Sequence, residues 1–136
     1  MNIKKRDLSA IATFLEAVPL SGSVSRSRTK LLNDIKEGIK ELQVDEQSLL
    51  SESRATVKNE GSIVDFESQE DKESFLRSQQ ELYEEEVIIS EKVVGQFNNL
   101  QDSLEKYDGE LSGNSAEGFD NILTLLEQER ENNENN

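Results

Sequence analysis

Residues 28–50 read RTKLLNDIKEGIKELQVDEQSLL. Within them Leu32, Ile35, Ile39, Leu42 and Leu49 recur at steps of three, four, three and seven, with charged side chains filling the positions between. That is the apolar spacing of a helix seam, and it predicts one long amphipathic helix from about Ser25 to Ser53. Gly38 sits inside it at a cost of about 1 kcal/mol relative to alanine. Glu46 interrupts the seam and is read as lying on its margin. One helix cannot bury such a seam alone. Further helices of this chain, or a second copy of it in a homo-oligomer, must lie against it.

The flanking segments supply candidates. Asp7 is a suitable N-cap, and Leu8, Ile11, Phe14, Leu15 and Val18 trace a short helix that Pro19 and Ser21–Ser23 end. Residues 55–67 lose the helical period. There Asn59–Ser62 reads as a turn between Thr56-Val57 and Ile63–Phe66, which predicts a small β-hairpin. Ser68 caps a helix whose first turns carry Glu70, Asp71 and Glu73 near the positive end of the dipole, and whose apolar face is Phe75, Leu76, Leu82 and Tyr83. Val87-Ile88-Ile89 reads as a bent joint or a strand beside the hairpin. Residues 91–107 place Val93, Val94, Phe97, Leu100, Leu104 and Tyr107 on one helical face, the best match for the long seam. A turn over 108–114 leads to a last helix capped by Ser115, with Phe119, Ile122, Leu123, Leu125 and Leu126. The expected fold is mainly α, an elongated bundle of four to five helices around one long helix, with a small hairpin near 55–67. Residues 1–126 form its single domain, and EQERENNENN (127–136) is read as a disordered acidic tail.

Apolar residues make up 33% of the chain and charged residues 32%, so the core should be thin. With 29 acids against 15 bases the net charge is −14, which repels nucleic acid and anionic membranes and favours basic protein surfaces as partners. The absence of Cys and His removes disulfides, thiolate chemistry, imidazole bases and the usual zinc sites. Basic residues precede an apolar run at the N-terminus, as in a signal peptide. Asp7, Thr13 and Glu16 interrupt that run and no segment has membrane length, so a cytoplasmic protein is expected.

Charge is unevenly placed. Residues 1–30 hold six bases against two acids, with Arg26, Arg28 and Lys30 in SVSRSRTK. Solvation of the long helix's first turn and pairing with acids elsewhere is the preferred account of them over a phosphate patch. Between Asp65 and Glu91 lie ten acids and two bases. Carboxylates such as Glu81, Glu84 and Glu85, or Asp108 with Glu110, could hold Mg²⁺ or Mn²⁺ as in a nuclease. No Asp-x-Asp-x-Asp-Gly loop or acid-x-Lys pattern accompanies them, and no base or phosphate loop accompanies the serines. No catalytic residue, metal or cofactor is therefore assigned. A metal-dependent nuclease stays as an alternative. Rows of carboxylates on helices can instead be spaced like phosphates and enter a Lys- and Arg-lined groove built for DNA. The face so expected comprises Glu67, Glu70, Asp71, Glu73, Glu81, Glu84, Glu85 and Glu86.

Three segments carry a resemblance: KKRDLSAIATFLEAVPLSGSVSRSRTKLL, QELYEEEVII, and YDGELSGNSAEGFDNILTLLE following the Phe97–Tyr107 helix. Together they resemble a small family of uncharacterised proteins of phages and prophages of Gram-positive bacteria, with residues 55–75 outside the likeness. The family has no catalytic residues to carry over. Among small phage proteins, strongly acidic helical ones resemble DNA mimics and anti-CRISPR inhibitors. The resemblance thus implies an inhibitor that acts in the host cytoplasm on a nucleic-acid-binding nuclease, Cas9-like in the sharpest form. A virion or assembly accessory protein is the alternative.

Overall fold

The computed structural model describes residues 1–135. Among these residues five α-helices carry most of the chain: α1 (Leu8–Ala17), α2 (Gly22–Glu52), α3 (Gln69–Glu84), α4 (Gln96–Glu105) and α5 (Gly113–Glu134). Four short strands join them: β1 (Asn2–Lys4), β2 (Thr56–Lys58), β3 (Ile63–Asp65) and β4 (Glu86–Ile88). The fold is mainly α, and both the long helix and the small antiparallel hairpin β2–β3 are present.

The core forms around α1 because that helix is apolar on more than one side. Leu8, Ala10, Ile11, Ala12, Phe14 and Leu15 are all buried, so it needs covering from several directions. Leu31, Leu32 and Ile35 of α2 cover one side, and Ile122 and Leu126 of α5 another. Phe97, Leu100 and Leu104 of α4 fill the space between α2 and α5. α5 crosses α1 so closely that a Cβ on Gly118 would overlap the Ala10 carbonyl group. Gly38 likewise lets Leu8 lie on α2, where a Cβ would meet Leu8 Cδ1 at 3.3 Å.

Beyond Gly38 no residue of α2 is buried. This second half of the helix, with the hairpin and α3, forms an arm that leaves the core. α3 returns along it in the opposite direction, burying only Phe75 and Leu82.

Arg28 closes α1. Its guanidinium donates to the carbonyls of Leu15 (3.0 Å) and Val18 (2.7 Å) and to Ser25 Oγ (3.1 Å), satisfying groups that the helix end leaves free. Arg28→Ala is expected to remove about 2 kcal/mol, because charge-assisted bonds are lost and partly buried carbonyls are left unpaired. Thermal unfolding should register this as a fall of roughly 5–10 °C.

Several boundaries differ from those the sequence predicts. α2 begins at Gly22, so Ser21–Ser23 open the long helix instead of only closing the first. Asp7 precedes α1 without bonding to it, because a 3₁₀ turn over Lys5–Asp7 runs straight into the helix. β4 is a strand, but its partner is β1 and not the hairpin: Asn2, Ile3 and Lys4 face Ile88, Val87 and Glu86. α4 starts at Gln96, not at Glu91. Gly95 takes φ 80°, and Glu91 folds back so that its carboxylate accepts the Phe97 N–H at 3.0 Å. Val93 and Val94 are left exposed, Val94 completely.

α5 begins at Gly113, with Ser115 inside its first turn, and continues to Glu134, through the segment read as a disordered tail. Contacts beyond Leu126 account for this. Arg130 pairs with Asp102 of α4 at 2.7 Å, and Glu129 lies 3.5 Å from the Met1 amino group. Asn136 lies outside the described residues.

Candidate functional site

On the arm a groove runs between α2 and α3. Asp45, Ser48 and Glu52 line one wall, Ser78, Glu81 and Glu85 the other, and Leu49 and Leu82 the floor, enclosing about 430 Å³. Glu41 and Glu37 precede Asp45 on α2 by one and two steps of four residues. Each step is about 6 Å along the helix. Of the six carboxylates of α2, Glu37, Glu41, Asp45 and Glu52 are exposed. On α3, the spacing of Glu70, Glu73, Glu81 and Glu84 puts them on a common face with Arg77 among them.

Besides Arg77, cations of the chain enter this surface at its ends. Pairing of β1 with β4 carries Lys4–Arg6 to the end of α3, where Lys4 Nζ lies 3.0 Å from Glu84 and Arg6 pairs with the same carboxylate. Lys5 Nζ lies 2.6 Å from Glu85 and 3.7 Å from Asp45. At the far end Arg54 is 3.1 Å from Asp71 and 3.5 Å from Glu67. The hydrogen bond to Asp71, with the two carboxylate charges, raises the Arg54 pKa further above its ordinary value.

The eight carboxylates expected to form one face therefore divide. Glu67, Asp71, Glu84 and Glu85 are paired with the chain's own bases. Glu70, Glu73, Glu81 and Glu86 are exposed and, among the described residues, have no cation within ion-pair distance. Glu67 with Asp71 and Glu84–Glu86 lie at opposite ends of α3, and Glu86 belongs to β4. Sequence reasoning missed the α2 row. Its signal was the four-residue repeat Glu37, Glu41, Asp45 on the polar side of the seam.

Deeper between the helices, half-buried Tyr83 faces Glu46, the residue that interrupts the α2 seam. Burial is the main cause that raises the Tyr83 pKa, and the Glu46 charge and hydrogen bond add to it. Gln79 Nε2, which donates to the phenol oxygen at 3.3 Å, acts the other way. A raised phenol pKa means the folded state holds the proton more tightly. Its contribution to stability is complete below the ordinary tyrosine pKa of about 10 and is lost as pH rises through the folded-state value. Glu46→Gln should move the Tyr83 titration, followed by phenolate absorbance, part of the way back down. An unmoved titration would mean that Glu46 does not act on this phenol.

Among the described residues no three His, Cys, Asp or Glu side chains gather as a metal site, so Glu81, Glu84 and Glu85 are not brought together as one. No described helix is long and apolar enough to cross a membrane. Fold and site together define an acidic α-helical bundle with a carboxylate-lined groove on a projecting arm. Comparison with protein-family models, curated proteins and solved structures finds no match for the chain. Function is therefore inferred from its own geometry.

Proposed function

We propose that this protein is an acidic helical inhibitor that occupies the basic nucleic-acid-binding surface of another protein. A phage-encoded DNA mimic acting on a host Cas9-type nuclease is its specific form. One observation carries the reading: carboxylates line both walls of an open groove between α2 and α3, with Lys4–Arg6 held at one end, Arg54 at the other and Arg77 within the α3 row. Helices fix the spacing of such charges before any partner arrives. Like phosphates on a duplex, they steer a cationic cleft towards them, and the attraction weakens as salt rises. The ion pairs of Lys4–Arg6 with Glu84 and Glu85 are surface pairs of small net worth, so a denser cationic partner can replace them.

The test is displacement of labelled duplex DNA from a purified Cas9-type nuclease at low salt. The protein should displace DNA, less so as salt is raised. Reversing Glu41 and Glu81 to lysine should weaken displacement about tenfold, while the same change at Glu131 and Glu134 should have little effect. Failure to displace DNA at low salt would remove this reading.

A further inference from the structure

The β2–β3 hairpin is poorly explained by stability. All six strand residues are exposed. Val57 and Val64 are cross-strand neighbours and therefore share a face. They remain 47% and 36% exposed. Phe66, two residues past Val64, places its ring 5.4 Å from that of Phe75 on α3, so an apolar track runs from the arm onto the hairpin. Beside it Val64, Phe66 and Lys72 border a recess of about 360 Å³.

Backbone strain is concentrated at the same place. Among the described residues the only non-glycine residues with positive φ are Arg54 (56°), Asn59 (53°) and Glu60 (58°), all at this hairpin. Asparagine tolerates that region, whereas arginine and glutamate enter it at a cost. A two-stranded hairpin is marginal by itself, and strained, apolar, uncovered elements are characteristic of surfaces that meet a partner.

We propose that the Val57–Val64 face of this hairpin is a docking surface for a cationic partner segment that carries an aliphatic anchor. Charge complementarity selects that occupant. Acids outnumber bases over residues 54–73: Glu60, Asp65, Glu67, Glu70, Asp71 and Glu73 against Arg54, Lys58 and Lys72, of which Lys58 pairs with Asp65 at 3.4 Å and Arg54 with Asp71 and Glu67. A second copy of the chain would bring the same acidic rim against this one, which like charge opposes. A segment carrying both lysines and leucines satisfies the rim and covers the valines. The partner's charge rests on the function proposed above; the aliphatic anchor rests on the hairpin alone.

The isotopically labelled full chain can be titrated, with amide shifts as the readout, against an amphipathic Leu/Lys helical peptide and against oligolysine of equal charge. The amphipathic peptide should bind at least tenfold more tightly and perturb the amides around Val57, Val64 and Phe66. Val57→Ser with Val64→Ser should reduce its affinity to that of oligolysine. Equal affinities, perturbations confined to the α2–α3 groove, or unchanged binding by the double variant would overturn the proposal. So would a homodimer in light scattering that the double variant abolishes. If the variant disturbs the hairpin, the shift map of the unaltered chain decides. Loss of DNA displacement with hairpin binding retained would discard the mimic reading and leave this one standing.

Discussion

Gly118→Ala is expected to lower the stability of the fold by about 3 kcal/mol, read as a lower urea midpoint with an unchanged slope. In an exposed helix the same change would gain about 1 kcal/mol, because alanine is the better helix former. The sign reverses here because backbone packs on backbone. The added methyl would overlap the Ala10 carbonyl oxygen and lie 2.6 Å from its carbon. A side chain could rotate aside; the backbone of a packed helix cannot. α5 would have to lift from α1, carrying Ile122 and Leu126, both fully buried, out of their contacts. With total stabilities of roughly 5–15 kcal/mol, that is a large fraction of what holds a domain of this size together. A neutral or stabilised Gly118→Ala protein would mean that α1 and α5 do not cross at this point.

Phe14→Ala should be comparably severe, about 3–5 kcal/mol. Phe14 has no exposed surface and sits edge-on to Phe119 at 5.2 Å and to Tyr107 at 6.0 Å. Tyr107 and Phe119 are themselves 5.9 Å apart, so the three rings form a closed cluster joining α1, the end of α4 and α5. Removing the central ring leaves a cavity that three helices would have to collapse together to fill. Phe14→Leu should restore more than half of the loss by returning apolar volume, without the edge-to-face geometry, worth about 0.5–1.5 kcal/mol for each pair. Because the protein contains no tryptophan, its near-ultraviolet circular dichroism reports largely on Tyr83 and Tyr107. Phe14→Ala should flatten the Tyr107 part of that signal before global unfolding begins.

What was legible in the sequence was local. The α2 seam declares itself through spacing. Ser68 caps α3 as its residue type suggests, accepting the Asp71 N–H at 3.1 Å, and the turn at Asn59–Gly61 marks the hairpin. The misses depend on partners distant in the chain or on solvent exposure. β1 is three residues long and becomes a strand only because β4 lies beside it. Val93 and Val94 continue the apolar period of α4, yet periodicity does not say which side faces water, and Gly95 breaks the backbone before they can join. The candidate site follows the same division. Acid density between Asp65 and Glu91 is visible in the composition, whereas the pairing of Glu84 and Glu85 with Lys4–Arg6 exists only after strand pairing has brought residues eighty positions apart together. The α2 row was legible in its spacing and overshadowed by the denser run in α3.

Because α5 closes over α1 at Gly118 and Ala10, α1 leaves a ribosome more than one hundred residues ahead of the helix that covers this side of it. At synthesis rates of about 5–20 residues per second, that interval is on the order of 5–20 s. Throughout it the side of α1 that meets α5, with Ala10 and Phe14, is available to chaperones and to neighbouring nascent chains. The yield of this protein in a cell should therefore respond to the speed of translation and to chaperone supply more than to the stability of the finished bundle.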